Sequence, residues 1–132
     1  SFQKALESFC VEHRENDALG DRVRALEGVI HRLWEAVEEM LRRRSADPLQ
    51  WACSTYPALM AFGEVTMAWR LLDMAILAGE AAGKKGKKYD FHRGKIFQAT
   101  YFVDTTLPHT LATIETCLRP GREILEIPDN AF

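Results

Sequence analysis

The chain has 132 residues, and its 17 Lys and Arg nearly balance its 19 Asp and Glu, for a formal net charge of −2. A chain of this length buries roughly two thirds of its unfolded surface, which predicts one domain over residues 1–132. A near-neutral chain lacks the basic surface that holds nucleic-acid phosphates, so we expect no nucleic-acid partner. Charged residues interrupt the most apolar segment, 56–78, and this excludes a membrane span.

The three cysteines are far apart, odd in number and without close histidines. This spacing indicates neither a disulfide framework nor a zinc site. Free thiols are typical of a reducing compartment, so we expect the protein in the cytoplasm.

The first half of the chain carries two helical patterns. Apolar side chains recur every three or four positions over residues 2–14, which predicts a short opening helix. A longer stripe of the same period predicts a helix over residues 18–44. Its members are Val23, Leu26, Ile30, Leu33, Val37 and Met40.

The second half predicts two more long helices. Asp47-Pro48 is typical of a helix start, because the carboxylate caps the first turn and the proline lacks only an N–H that has no helical partner there. The helix is predicted over 48–82, with a kink or a restart at Pro57. Its apolar residues cover nearly the whole circumference, so we expect neighbours on several sides. The last helix is predicted over 91–118 and bends at Pro108.

Two connections complete the prediction. The segment 83–90 contains two glycines and four lysines and predicts an exposed loop. Pro120-Gly121 ends the last helix, and the tail 119–132 alternates too briefly to form a sheet, so we expect an extended strap. The predicted fold is all-α: an antiparallel bundle of three long helices, with a short N-terminal helix and an extended C-terminal tail.

No residue pattern predicts a catalytic, cofactor-binding or metal site. The sequence lacks a Gly-rich phosphate loop, a nucleophile elbow and metal-ligand spacing. Glu27 and Glu35 flank His31 on one helix face, but the Glu-x-x-His pairs of di-iron bundles are missing, which favours a solvated histidine. Arg24 and His31 have the spacing of some helical ribonuclease sites. That pattern is weak, because Ala25 stands where those families prefer a polar residue.

Two further groups have both a chemical and a structural interpretation. Cys53 and Cys117 act as nucleophiles only beside a base that lowers the thiol pKa, and neither has such a neighbour in sequence. Structural thiols are therefore favoured. The loop lysines would suit an acidic headgroup or the phosphates of a CoA ester, whereas a solvated loop is the favoured interpretation. They are Lys84, Lys85, Lys87 and Lys88.

The last two long helices and the C-terminus resemble a known family. The shared elements are an aromatic-rich stretch before a tryptophan, then an aromatic, a Lys, an Ala, an aromatic pair and a Leu-Pro. They are carried by Tyr56, Phe62, Gly63, Trp69, Phe91, Lys95, Ala99, Tyr101, Phe102, Leu107, Pro108, Pro128 and Phe132. This pattern is similar to the acetyl-CoA dehydrogenase C-terminal-like domain of acyl-CoA dehydrogenases, as in the methylmercaptopropionyl-CoA dehydrogenase branch. Pro57, Ala68 and the lysine-rich loop depart from it.

The resemblance implies a non-catalytic domain that follows the catalytic domains of an FAD-dependent enzyme. The parent would desaturate a fatty-acyl or related acyl-CoA between its α and β carbons, with a glutamate base in the preceding domain. The resemblance also implies that the chain ends at Phe132 and continues upstream of Ser1, in agreement with the missing initiator Met. We therefore expect no catalytic residue, FAD or metal in this chain, and the upstream domains and further copies as partners. The alternative is a free-standing helical interaction module or a HEPN-like nuclease.

Apolar residues beyond the helical stripes predict an interface. Trp34 and Tyr101 are the candidate anchors, because large amphipathic rings dominate interface energetics. We expect the domain to pack on the dehydrogenase core, to support its dimer or to border the acyl pocket.

Overall fold

The computed structural model describes residues 1–119 and 121–131. Within these residues five α-helices follow one another, and two single 3-10 turns lie in the tail. They are α1 (Phe2–His13), α2 (Gly20–Ala46), α3 (Pro48–Cys53), α4 (Thr55–Ala81), α5 (Lys87–Leu118), and the turns Glu123–Leu125 and Asp129–Ala131. No strand occurs in the described ranges, so the prediction of an all-α fold is confirmed.

Side-chain caps stabilise the starts of two helices, α1 and α3. Ser1 Oγ accepts the Lys4 N–H at 3.3 Å at the start of α1, and the Asp47 carboxylate accepts the Gln50 N–H at 3.2 Å at the start of α3. Such caps satisfy N–H groups that lack a helical partner. In the turn between α1 and α2, the Asn16 side chain accepts two backbone N–H groups.

The long helix predicted over 48–82 is two helices, α3 and α4. The chain restarts at Ser54, whose hydroxyl donates to the Cys117 carbonyl at 3.3 Å. Pro57 then lies in the first turn of α4, where a missing N–H costs no hydrogen bond. The loop is also shorter than predicted, because α5 begins at Lys87, directly after Gly86 with its φ of 92°. α5 continues through Pro108.

Consecutive long helices alternate in direction, as pairs of residues at their ends show. Ser54 meets Cys117 at one end of α4, and Gly79 meets His92 at the other, so α4 and α5 are antiparallel. α2 and α5 run the same way, since Arg22 pairs with Asp104 and Arg32 with Glu115. α1 packs against α2 and α4. Its Phe2 ring lies 6.0 Å from the Trp69 ring of α4, and Arg14, directly after α1, forms an ion pair with Glu27 of α2. The result is an up-down-up-down bundle.

The core lies along one side of each helix. The buried side of α4 carries small side chains, which allow a close approach to α5, and these two helices form the most extensive pair. The buried residues of α4 are Ala58, Ala61, Val65, Ala68, Leu72, Ala75 and Ile76. Those of α5 are Ala99, Val103, Leu107, Thr110, Ile114 and Cys117.

α4 has neighbours on several sides, as predicted, because α1, α2 and α5 all pack against it, but one of its sides is uncovered. Its side opposite the core is open and apolar, with exposed Tyr56, Met60, Met67, Met74 and Leu77. A bundle of this size supplies neighbours on only part of the circumference of α4, so the remaining apolar residues face outwards. None of the described helices combines the length and the apolar character that crossing a membrane requires.

Candidate functional site

An open groove of about 600 Å³ runs between α2 and α5. On the α2 side Ala25 and Gly28 leave the groove wide, because they carry little or no side chain. The α5 side is formed by the apolar Val103, Leu107, Pro108 and Leu111 and by the Asp104 carboxylate. A concave apolar surface of this size is suited to receive side chains of another segment or protein.

Two ion pairs link α2 and α5, one near each end of the groove. Arg22 donates two hydrogen bonds to the Asp104 carboxylate, at 3.3 and 3.0 Å. Ten residues further along α2, Arg32 donates to Glu115 at 2.6 Å, and this hydrogen bond lowers the pKa of the Glu115 carboxyl. Both pairs are partly exposed, so each contributes little to the free energy of unfolding.

Tyr101 extends the groove along the outside of α5. Phe97, Tyr101, Pro108 and Leu111 share one helix face, since they follow the three- and four-residue steps of a helix. Phe97 is 61% exposed and Tyr101 is 73% exposed, the largest exposure of any large apolar side chain in the described residues. The candidate anchor Tyr101 therefore lies on the surface beside the groove.

Trp34, the other candidate anchor, lies elsewhere and is partly buried. Its ring packs edge-on against Phe62 of α4 at 5.6 Å, on the side of the bundle that α1 covers. Position 34 follows core residue Leu33, so the indole turns inwards towards α4. Its Nε1–H has no acceptor among the described residues. This geometry makes Trp34 a packing residue of the fold and not an exposed anchor.

The residues of the family pattern are distributed over the α4 and α5 pair and its surface. Ala99 and Leu107 are buried, whereas Phe62, Trp69 and Phe102 pack partly buried against the core. The remaining described members are at the surface: Tyr56, Gly63, Phe91, Tyr101, Pro108, Pro128 and the partly exposed Lys95. Phe132 lies outside the described residues. The pattern thus describes helix packing and outer surfaces, and it assembles no catalytic set.

A second, polar depression of about 340 Å³ lies at the end of the bundle beside the α1–α2 turn. Its lining includes His13, Asp17, Glu80 and His92. The sequence analysis missed it, because α4 and α5 bring these residues together only in the folded chain. In the part of the chain that the structure describes, no three His, Cys, Asp or Glu side chains are arranged to hold a metal ion.

The remaining chemical candidates do not form a site. Arg24 donates to the Arg14 carbonyl and to Asp21, and both hydrogen bonds direct its guanidinium towards the start of α2. Burial raises the pKa of the Cys10 thiol to about 12 and also raises the pKa of Cys117, so neither thiol is an activated nucleophile. Cys53 is exposed, as are Lys84 and Lys85 in the loop and Lys87 and Lys88 in the first turn of α5.

The described residues do not fit a flavin site. A dinucleotide fold places the pyrophosphate in a glycine-rich turn between a strand and a helix. The described chain has no strand, and its glycine-containing segment around Gly83 and Gly86 is exposed to solvent. Residues 1–119 and 121–131 therefore contain no turn of this kind.

A comparison with protein families identifies the chain. The model of the family described as acetyl-CoA dehydrogenase C-terminal like matches residues 2–128. The comparison with curated proteins finds no match. The matched range includes all five described helices, the groove and the α4 and α5 pair. The chain thus belongs to the acetyl-CoA dehydrogenase C-terminal-like family, the C-terminal domain of acyl-CoA dehydrogenases.

Proposed function

We propose that this domain is a non-catalytic packing domain of an FAD-dependent acyl-CoA dehydrogenase. It binds the catalytic domains that precede it in the parent chain, through the groove between α2 and α5. The observation that carries the proposal is that groove, which is apolar and continues into the exposed rings of Phe97 and Tyr101. Residues of this kind are enriched at the centres of protein interfaces.

Gly28 supports this assignment. A Cβ at position 28 would meet no atom within 4 Å, so packing inside the domain does not require glycine there. Glycine in a helix interior is less stable than alanine by roughly 0.5–1 kcal/mol. The close approach of a side chain or helix from the catalytic domains accounts for this cost, because Gly28 lines the groove.

In this proposal the parent enzyme divides its tasks between domains. The flavin and the catalytic base belong to the preceding domains, and this domain covers their outer surface and excludes water from it. The parent acts on a fatty-acyl or related acyl-CoA in the cytoplasm, which agrees with three free cysteines.

The test measures binding between this domain and the separately produced catalytic part of the parent by titration calorimetry. We expect saturable binding that Gly28→Leu weakens at least tenfold, because the new side chain fills the groove. Gly63→Leu is the matched control: it makes the same change in a helix interior where a Cβ is also unobstructed, but on α4. Equal weakening by both variants, or no binding by the unchanged domain, would contradict the proposal.

A further inference from the structure

The outer side of α4 carries an apolar stripe, which we name the α4 stripe. Its members are three, four or seven residues apart, so they share one side of the helix over a length of about 32 Å. Each side chain is between 41% and 72% exposed, and none of them lines the groove between α2 and α5. Apolar surface of this extent on a small protein usually marks an interaction site. The α4 stripe consists of Tyr56, Met60, Met67, Met74 and Leu77.

Positive charge is concentrated directly beyond one end of the α4 stripe. α4 ends at Ala81, four residues after Leu77, and the segment 84–95 then contains five of the six lysines of the chain. The same segment contains Arg93 and a single carboxylate, that of Asp90. Because the whole chain has a net charge of −2, the rest of the chain is acidic. We name these lysines the lysine cluster: Lys84, Lys85, Lys87, Lys88 and Lys95.

Among the described residues, the lysine cluster lacks the carboxylate partners that cations have elsewhere in the chain. Eight of the eleven arginines form ion pairs with Asp or Glu. None of the five lysines does so in the part of the chain that the structure describes. Lys87 and Lys88 also lie in the first turn of α5, where the positive end of the helix dipole disfavours a cation. An anionic partner outside the domain would neutralise these charges.

An exposed aromatic ring lies within the lysine cluster. Phe91 is 60% exposed, and the Lys95 ammonium lies 5.2 Å from the centre of its ring. Lys88, Phe91 and Lys95 are three and four residues apart and therefore share one side of α5. Apolar surface combined with an aromatic ring and lysines is typical of helices at the surface of an anionic bilayer. Protein interfaces are instead depleted of lysine, and small ligands bind in concave sites.

We propose that this domain binds the surface of an anionic lipid bilayer through the α4 stripe and the lysine cluster. The methionine side chains enter the boundary between headgroups and acyl chains, and the lysines contact the anionic headgroups. Arg70 lies on the same side of α4, and its long side chain places its charge among the headgroups. The cytoplasmic leaflet carries the negative surface potential, in agreement with the expected compartment. The inference does not rest on the proposed function, because it uses a surface other than the groove.

The first test measures co-sedimentation of the domain with lipid vesicles. We expect binding to phosphatidylcholine vesicles that contain about one third phosphatidylserine, but not to phosphatidylcholine alone, and the binding should weaken as salt rises. Lys87→Gln together with Lys88→Gln should weaken it at least tenfold, because each lysine near an anionic surface contributes roughly fivefold. The matched control is Lys4→Gln with Arg42→Gln, which removes the same charge from exposed positions of α1 and α2 and should bind like the unchanged domain.

Three outcomes of this test would overturn the proposal. They are no binding to the anionic vesicles, equal binding to both kinds of vesicle, and equal weakening by both double variants.

The second test measures which side of the domain enters the lipid, in a Cys53→Ser background that removes the exposed thiol. An environment-sensitive fluorophore is attached to Met67→Cys in the α4 stripe or to Leu41→Cys on α2, two positions of similar exposure. With the anionic vesicles, emission from position 67 should shift to shorter wavelength and emission from position 41 should not. A shift at position 41 alone would reject the α4 stripe. A shift at position 67 with dissolved inorganic pyrophosphate alone, at the same ionic strength, would indicate a soluble phosphate ligand and reject the bilayer.

Two further variants separate this inference from the proposed function. Gly28→Leu should weaken binding to the catalytic part and leave vesicle binding unchanged, because Gly28 lines the groove. Met67→Glu should weaken vesicle binding at least tenfold and leave binding to the catalytic part unchanged. If Met67→Glu instead abolishes binding to the catalytic part, and the unchanged domain does not bind vesicles, the catalytic part covers α4 and this inference is overturned. Circular dichroism confirms that each variant retains its helices.

Discussion

At the scale of single residues, a glycine of α4 leaves room for a histidine ring of α5. A Cβ at Gly79 would lie 2.7 Å from Cε1 of His92, nearer than such atoms approach one another. The histidine ring therefore occupies the space of a side chain at position 79. Its Nδ1 is buried and has no partner among the residues described. The two residues therefore interact by close packing, without a hydrogen bond from Nδ1.

We predict that the effects of Gly79→Ala and His92→Ala on stability are coupled. Gly79→Ala alone should destabilise the domain by about 1 kcal/mol, because the His92 ring must move. With His92→Ala already present, the same change should stabilise it by roughly 0.5–1 kcal/mol through helix propensity. Urea unfolding of the four proteins measures the coupling. Additive effects would show that the two residues do not share this space.

The three thiols should differ in reactivity. Cys53 is exposed, whereas Cys10 and Cys117 are buried, and burial raises the pKa of both. At about pH 8 we expect a thiol reagent to modify Cys53 rapidly in the folded domain and all three in urea, because the thiolate is the reacting form. Cys53→Ser should abolish the fast phase. The raised pKa of Cys10 also stabilises the fold below about pH 9, and this contribution is lost as the pH rises towards about 12. Rapid modification of Cys10 in the folded domain would contradict its burial.

At the scale of the helices, the sequence predicted most boundaries to within a few residues. α2 was predicted over 18–44 and occupies Gly20–Ala46, because its periodic stripe is a local property of the chain. The break at Ser54 was left open as one of two alternatives at Pro57. The exposed side of α4 was not predicted, since composition shows that a helix is apolar all round but not how many neighbours it has.

The loop before α5 and the first turn of α5 should tolerate the loss of their lysines. Lys84, Lys85, Lys87 and Lys88 are exposed, and like charges repel one another. Replacing all four with serine should change the thermal midpoint by less than about 4 °C, and a fall of more than about 10 °C would show that the loop is structural. Gly86→Ala is the control for the backbone. Its φ of 92° is unfavourable for alanine, so this single change should destabilise the domain by about 1 kcal/mol or more.

At the scale of the whole molecule, the sequence identified part of the candidate site. Tyr101 and Pro108 were selected from one helix; Pro108 lines the groove, whereas Tyr101 lies on the exposed helix face beside it. The α2 side of the groove was missed, because no pattern within a helix reveals that α2 and α5 are neighbours. Trp34 was selected because its side chain is large. Its ring packs against Phe62, and this contact depends on the position of α4. The residues that share a helix face can thus be predicted from the sequence. A groove between two helices can be predicted only when the packing of the helices is known.

We predict that the purified domain carries no flavin. Its described residues lack the glycine-rich turn that binds a dinucleotide, and binding of FAD is assigned to the preceding domains. The absorbance spectrum should show no flavin band at about 450 nm. When FAD is added to the protein, the flavin fluorescence should equal that of the same concentration of free FAD. A yellow protein with stoichiometric flavin would reject the assignment.

The exposed methionines on the outer side of α4 make this surface chemically changeable. Three of the four methionines in the chain, Met60, Met67 and Met74, are exposed there, whereas Met40 is buried. Peroxide converts exposed methionine into a polar sulfoxide, and methionine sulfoxide reductases reverse the reaction. Mild oxidation would therefore make α4 hydrophilic while leaving the core intact.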